Sequence, residues 1–154
     1  MEQKEQKNRP EEEASVREAM ESGELLLALQ YQYAQNRNRD NLVMLLSCLR
    51  DSSVWMPVVK VPGKEDRPDL LQSSDGKSWI PVFSRQEQMP ESCRKRFSVV
   101  SVPVTDAIRL AHRTREACGL VLDAFSPITT ALPLDLADVI LRLPSRQDRE
   151  EKKK

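Results

Sequence analysis

A short apolar pattern occurs twice in this 154-residue chain and limits its fold more than any other feature. Residues 54–58 read Val-Trp-Met-Pro-Val, and residues 78–82 read Ser-Trp-Ile-Pro-Val after the turn signal Asp75-Gly76. Aromatic and β-branched residues favour extended backbone, and Asp-Gly between such runs is typical of a hairpin. The repeat therefore predicts related strands of one small sheet, linked as an antiparallel meander through a brief strand over residues 70–72.

Each copy of the pattern contains a proline, Pro57 or Pro81, which has no N–H to donate to a ladder. Such residues are usually confined to edge strands and bulges, so we predict one or the other for each strand. The apolar character of both faces of the first strand indicates that helices cover it. We therefore expect Trp55 and Trp79 to lie between sheet and helices, where each indole N–H needs an acceptor.

Two amphipathic helices precede the first copy. Leucines recur at helical spacing over residues 25–33 and again over residues 42–49, with a polar break at residues 36–40. This spacing predicts an αα-hairpin whose apolar face covers the sheet. A further helix is predicted from Pro10 to Met20, because proline and the acids that follow it suit a helix start.

Strands and helices alternate after the second copy. Ser84 with Glu87 three residues later is typical of a capping box, so we predict a short helix that ends at Pro90 and a loop at Cys93. Further elements are predicted as a strand over 97–102, a helix from Thr105 with Gly119 as its C-cap, a last strand over 119–125 and a last helix over 133–143. This alternation predicts crossover helices and at least one parallel pair of strands.

The predicted fold class is therefore α/β (α+β), with a mixed sheet covered by the helix pair and the crossover helices. One domain over residues 14–143 is expected, between a polar N-terminal tail (1–13) and a charged C-terminal tail (144–154), since both ends have little to bury.

Composition limits the classes of partner. The chain has 24 basic and 24 acidic side chains, so no net field directs it to nucleic acid or to an anionic membrane. No apolar run approaches the ~18 residues that span a bilayer, and the N-terminus is unlike a secretory signal. Three widely spaced cysteines offer no disulfide framework. We expect reduced thiols and a cytoplasmic location.

Few residues offer chemistry. His112 is the only histidine, so a multi-histidine metal site is excluded, and four scattered glycines cannot form a phosphate-binding loop. We therefore predict no metal and no cofactor. Cys93 precedes Arg94, Lys95 and Arg96, and adjacent cations lower the pKa of a thiol, so it is the cysteine to test for reactivity.

The order of these segments resembles the SseB family, the "enhanced serine sensitivity" proteins, over about residues 22–143. The helix pair, the two Trp-x-Pro-Val segments, the strand over 119–123 and the closing segment over 127–140 are the parts that resemble it. The family's last strand commonly ends in Asn-Pro, whereas here Asp123 stands at the asparagine position and the proline is displaced to Pro127. The resemblance implies an α/β fold with no established catalysis and no assigned cofactor.

We predict a non-enzymatic cytoplasmic interaction or regulatory module with an unidentified protein partner. Its surface is expected where strand ends and charged side chains converge, since ligand sites often lie beyond the carboxyl ends of strands. The candidate binding residues are Ser84, Arg109, His112, Arg113, Glu116 and Asp123. The alternative is a small-molecule-binding domain or a thiol-dependent enzyme that uses Cys93 or Cys118. A nucleic-acid binder is the least favoured class.

Overall fold

The computed structural model describes Glu18 and residues 22–145. The predicted helix over residues 10–20 and both predicted tails lie outside the described residues, apart from Glu18 and residues 144–145. In the described ranges the helices are α1 Glu24–Gln35, α2 Arg39–Arg50, α3 Glu91–Arg96, α4 Val104–Arg113 and α5 Leu134–Arg142. The strands are β1 Ser53–Val59, β2 Arg67–Pro68, β3 Leu71–Gln72, β4 Ser78–Val82, β5 Ser98–Pro103, β6 Ala117–Leu122 and β7 Thr130–Pro133. The α/β class is confirmed.

The predicted helix pair is present as α1 and α2. The Asn38 side chain caps α2 by accepting a hydrogen bond from the Asn41 N–H at 2.8 Å, which explains why the polar break falls where it does. Leu26 of α1 and Leu45 and Leu49 of α2 are fully buried in the core. The leucine pattern therefore forms a core face, as its spacing predicts.

The strands form two half-sheets that meet at one pair of residues. One half has the order β2-β1-β5 and is antiparallel, and the other has the order β3-β4-β6-β7, in which β4 and β6 are parallel. Trp55 of β1 and Phe83, just after β4, exchange two backbone hydrogen bonds of 2.8 Å. The mixed sheet with a parallel pair is confirmed, although β1 meets β4 only at this bridge.

The two prolines explain why the half-sheets separate beyond that bridge. Pro57 lies two residues after Trp55, and Pro81 lies two residues before Phe83. If the antiparallel pairing of Trp55 with Phe83 continued, the two prolines would lie opposite each other. Neither proline can donate, and the ladder stops. Neither strand lies at an edge, because β1 lies between β2 and β5 and β4 lies between β3 and β6. The bulge alternative is met in β4, whose pairing with β6 shifts register between Ser78 and Ile80, but not in the pairing of β1 with β5.

The segment over residues 67–72 occupies the gap that the prolines leave. Its first part, β2, pairs with β1, and its second part, β3, pairs with the start of β4. Between them, the Asp69 N–H donates to the Pro57 carbonyl at 3.1 Å. The predicted strand over residues 70–72 and its antiparallel pairing with β4 are confirmed.

One face of the sheet holds the main core. Side chains from both half-sheets are buried there against α1, α2, α4 and α5. They include Val54, Met56 and Val58 of β1, and Ile80, Leu120 and Leu132 of the other half. None of the helices in the described part of the chain combines the length and apolar character that a bilayer span requires.

Two local predictions fail, and one strand was not predicted. Gly119 is not a C-cap, because α4 already ends at Arg113 and Gly119 lies within β6. A Cβ at Gly119 would stand 2.2 Å from the Leu132 carbonyl oxygen, so the close approach of β7, a strand that was not predicted, requires glycine there. Cys93 lies on the short helix α3 rather than in a loop.

Candidate interaction surface

A buried polar junction joins the ends of the two parallel strands. Asp123 follows β6 and has no exposed surface. Its carboxylate accepts hydrogen bonds from the Ser84 N–H at 2.8 Å, the Ser84 hydroxyl at 2.7 Å and the Gln30 side-chain amide at 2.8 Å. The structure therefore brings Ser84 and Asp123 together, because the carboxyl ends of parallel strands meet at one edge. Their burial keeps both side chains away from any partner at the surface.

This junction replaces the predicted helix cap. The helical turn at Gln86–Gln88 is a 3-10 helix with no side-chain cap, because the Ser84 hydroxyl is used by Asp123. The predicted capping box is therefore wrong. The competing contact lies 39 residues away in sequence, which no local pattern signals.

The junction also fixes the loop that follows β6. Asp123 has a left-handed backbone with a φ of 51°, and its carbonyl accepts hydrogen bonds from the hydroxyls of Ser126 at 2.6 Å and Thr129 at 3.1 Å. Aspartate tolerates this conformation better than most residues. Phe125, within the same turn, has a φ of 69° and is 74% exposed. A loop with several internal hydrogen bonds therefore holds a large aromatic side chain in solvent.

Phe125 belongs to an apolar groove on the sheet face opposite the main core. Strand residues alternate between faces, so Val121 points away from the face on which Leu120 and Leu122 are buried. The groove has a volume of about 340 Å³ and is lined by Leu71, Gln72, Ser73, Asp75, Trp79, Val121, Ala124, Phe125 and Ala131. Apart from the buried Ala124, its apolar members are Leu71, Trp79, Val121, Phe125 and Ala131, and we call these five the open face.

Trp79 is on the open face and not between sheet and helices, so its predicted position is wrong. Its indole N–H donates to the Ser73 hydroxyl at 3.2 Å, which supplies the acceptor that a partly buried tryptophan needs. The apolar run of β4 does mark a strand that is apolar on both faces. The main helix layer packs on one of those faces. The other face is also buried at Phe83, but among the described residues the groove beside Trp79 stays open.

An acidic group lies at the rim of the groove. The Ser73 hydroxyl donates to the Asp75 carboxylate, and so does the Lys77 N–H at 3.2 Å. These two hydrogen bonds, that of Ser73 above all, lower the pKa of Asp75. The rim therefore presents a carboxylate whose charged form is favoured.

The helix face predicted as a binding surface is divided in two. Arg109 forms an ion pair with Asp106 at 3.0 Å, and His112 Nε2 lies 2.6 Å from Asp138 on α5. The Arg109–Asp106 pair is largely exposed, and the His112–Asp138 pair is partly exposed. Arg113 and Glu116 instead line a cleft of about 890 Å³ beside the loop over residues 63–70. All four residues belong to the helix layer or its end and do not adjoin the open face.

The thiols have environments that differ from the sequence-based expectation. Burial raises the pKa of Cys93, and the Asp69 carboxylate raises it further, which is opposite to the effect expected from Arg94, Lys95 and Arg96. One of those cations, Lys95, is paired with Glu91 at 3.2 Å. Cys118 donates its S–H to the Ser78 carbonyl at 3.1 Å.

Comparison with known proteins identifies the family. Residues 25–136 match the family model described as the SseB protein N-terminal domain. This match covers most of the chain, so the chain belongs to the SseB family, and the resemblance noted from its sequence is confirmed. No curated protein and no solved structure gives a significant match.

Proposed function

Since the chain belongs to the SseB family, we propose that it is a non-enzymatic, cytoplasmic protein-interaction or regulatory module whose partner binds the open face. The single observation that supports this most is the exposure of Phe125, 74% of whose surface is in solvent within an apolar groove. Large exposed apolar patches on soluble domains commonly mark interaction sites.

The energetics favour Phe125 as an anchor. Burying a phenylalanine side chain contributes about 1.5–3 kcal/mol, and aromatic residues dominate the binding energy of many interfaces. The hydrogen bonds from Ser126 and Thr129 to Asp123 hold the loop in one conformation before any partner arrives. A preorganised loop loses little conformational entropy on binding, so more of the burial energy is available for affinity.

The composition of the groove defines the chemistry of the partner. Its floor is apolar, formed by Trp79, Val121 and Ala131, and its rim carries the Asp75 carboxylate. We therefore expect a polypeptide that places an apolar side chain in the groove and a lysine or arginine beside Asp75. We expect the pairing of this basic group with Asp75 to weaken as the salt concentration rises, while the apolar contact persists at high salt.

A pull-down from host lysate, quantified by mass spectrometry, tests the proposal with matched variants. Phe125→Ser removes the anchor, and Tyr31→Ser removes another exposed aromatic side chain, on α1, as the control. We expect a protein that is enriched by the native chain and by Tyr31→Ser and is lost with Phe125→Ser. If every enriched protein is retained by Phe125→Ser, the proposed binding face is wrong.

A charge-reversed variant, Arg109→Glu with Arg113→Glu, separates the open face from the helix face. Both arginines are exposed on the helix layer, so the reversal leaves the open face unchanged. A partner that binds the open face is retained by this variant. Loss of the partner with the reversal but not with Phe125→Ser would place the interaction on the helix layer instead.

A second candidate, a small-molecule-binding domain, is favoured by the cleft of about 890 Å³ beside Arg113 and Glu116. The cleft also holds Lys64 and Asp66, so its ligand would be a small polar molecule with both charge signs. A thermal-shift screen of zwitterionic compounds, with Arg113→Met as the control, tests this function. A shift that the control removes would support it, and no shift would exclude these compounds as ligands.

The thiol-dependent form of this alternative is tested by alkylation kinetics. Because burial and Asp69 raise the pKa of Cys93, less thiolate is present at neutral pH than in a free cysteine. We expect iodoacetamide to modify Cys93 more slowly than it modifies a cysteine in a short unstructured peptide, measured by mass spectrometry at pH 7. Faster modification than in the peptide would revive Cys93 as a reactive thiol.

A further inference from the structure

The strand β5 has a free backbone edge. In the described part of the chain, its only partner strand is β1, and neither Val99 nor Ser101 makes a backbone hydrogen bond to a described turn or loop. The backbone N–H and C=O groups of successive residues in a strand point to opposite sides of that strand. Those of Trp55 point to Phe83, so the backbone groups of Val54 and Met56 point to β5. By the same alternation, Val99 and Ser101 direct their backbone groups to the outer edge.

This edge lacks the features that usually prevent pairing between sheets. Natural edge strands are commonly protected by lysine, by a bulge or by a proline in the middle of the strand. The sequence of β5, Ser-Val-Val-Ser-Val-Pro, has no charge, pairs with β1 without a register shift, and carries its proline only at the last position. The edge is therefore open to another strand.

The pattern of donors and acceptors on the edge is complementary to itself. In an antiparallel pair centred on Val100, Val99 of each copy would lie opposite Ser101 of the other, which gives four backbone hydrogen bonds. The next pair in this register is Phe97 opposite Pro103, and the pairing would end before it. Pro103 has no N–H, and the Phe97 N–H already donates to the Cys93 carbonyl at 3.0 Å. A two-fold pair thus satisfies all the free donors of this segment.

Charge and packing favour the same arrangement. Arg94 and Arg96 precede β5, so antiparallel pairing places the basic segments of the two copies at opposite ends of the paired strands. Val100 and Val102 are only partly buried and pack against the main core. A second copy would cover their remaining surface and continue the core across the two-fold axis.

From this edge we infer that the chain forms a homodimer by antiparallel pairing of β5 with β5 of a second copy, centred on Val100. The contact is small, so the dimer is weak, with a Kd on the order of 10–100 μM. This inference uses the edge of the sheet and is independent of the open face and of the partner proposed for it.

Sedimentation of the full chain from about 1 to about 500 μM tests the dimer, with variants that separate backbone from side chain. Ser101→Pro removes two of the four hydrogen bonds of the dimer and none to β1, while Ser101→Ala keeps all four. We expect Ser101→Pro to weaken the dimer about thirtyfold and Ser101→Ala to leave it unchanged. Urea unfolding confirms that each variant is folded.

Disulfide trapping tests the register without depending on the proline variant. In a background of Cys48→Ala, Cys93→Ser and Cys118→Ser, Val100→Cys places the two thiols in a pair with Cα atoms about 4.5 Å apart, which suits a disulfide. Val102→Cys is the control, because its two copies would be about 13 Å apart. We expect a covalent dimer from Val100→Cys and none from Val102→Cys.

Several outcomes would overturn the inference. A chain that stays monomeric over the whole range, a dimer that resists Ser101→Pro, or trapping at residue 102 but not at 100 would each contradict it. A dimer lost with Phe125→Ser would place self-association on the open face. Dimerisation only after deletion of residues 1–17 would show that this segment occupies the edge in the intact chain.

Discussion

Both faces of the sheet are apolar, but on one of them, among the described residues, a groove remains open to solvent. On the core face, Leu120 and Leu122 are completely buried beneath helices. On the open face, Val121, between them in the same strand, lines a groove beside an exposed phenylalanine. The difference shows that an apolar side chain alone does not mark the core of this domain. The helices bury the core face, whereas the groove on the other face stays exposed.

The largest expected effect comes from truncating the core face. Leu122→Ala should lower the free energy of unfolding by about 2–5 kcal/mol, because it removes a buried side chain and leaves a cavity. Val121→Ala, the matched change on the open face, should cost less than about 1 kcal/mol. Urea unfolding measures both. Equal losses would show that the open face is also part of the core.

The next-largest loss of stability is expected at the polar junction of Asp123, Ser84 and Gln30. Asp123→Ala should cost about 3 kcal/mol, because it leaves the donors of Ser84 and Gln30 buried without an acceptor. Asp123→Asn should cost about 1 kcal/mol or less, since the Gln30 amide and the Ser84 hydroxyl can exchange donor and acceptor roles.

Ser84→Ala is the control for the comparison of Asp123→Ala with Asp123→Asn. Asparagine also tolerates the left-handed backbone of residue 123, so the alanine and asparagine variants differ in backbone strain as well as in hydrogen bonding. Ser84→Ala removes the hydroxyl without changing residue 123. Equal unfolding free energies for Asp123→Ala and Asp123→Asn would show that the junction does not stabilise the fold.

A smaller effect is expected where β7 approaches β6. Gly119→Ala should cost about 2 kcal/mol, because the new Cβ would press on the backbone of Leu132 and Pro133. Gly76→Ala is the control, since its Cβ would meet nothing within 4 Å and its cost comes from the left-handed backbone alone. If the two variants are equally stable, the close approach of β7 is not a constraint.

The smallest effect on stability is expected at Phe125. Phe125→Ser removes a side chain that is mostly in solvent already, so the free energy of unfolding should change by less than about 0.5 kcal/mol. Thermal and urea unfolding measure this change. A loss near that of Leu122→Ala would show that Phe125 packs in the core of the domain and is not held for a partner.

Much of the fold could be predicted because its signals are local. The leucine spacing of α1 and α2, the repeated Trp-x-Pro-Val pattern and the β-branched run of β5 each report the element that forms there. The failures have long-range causes. The role of Ser84 depends on Asp123, and that of Gly119 depends on Leu132 of a strand that has only four residues.

The candidate binding surface was harder to predict, for a physical reason. Apolar residues in a strand report that a face avoids water, but not whether a helix or a partner provides the cover. The pairing of Ser84 with Asp123 follows from parallel strand ends, yet their burial does not. The exposure of Phe125 depends on a turn with left-handed backbone, in which the Asp123 carbonyl accepts a hydrogen bond from Ser126. No periodic pattern in the sequence marks that turn.

The most direct test of the open face is site-specific photo-crosslinking in the host cell. A benzophenone amino acid at position 125 should give a discrete protein adduct, and Val121→Asp in the same chain should abolish it. The same probe at Val43, an exposed position on α2, should not give that adduct. No adduct at position 125, or the same adduct from both positions, would contradict the account.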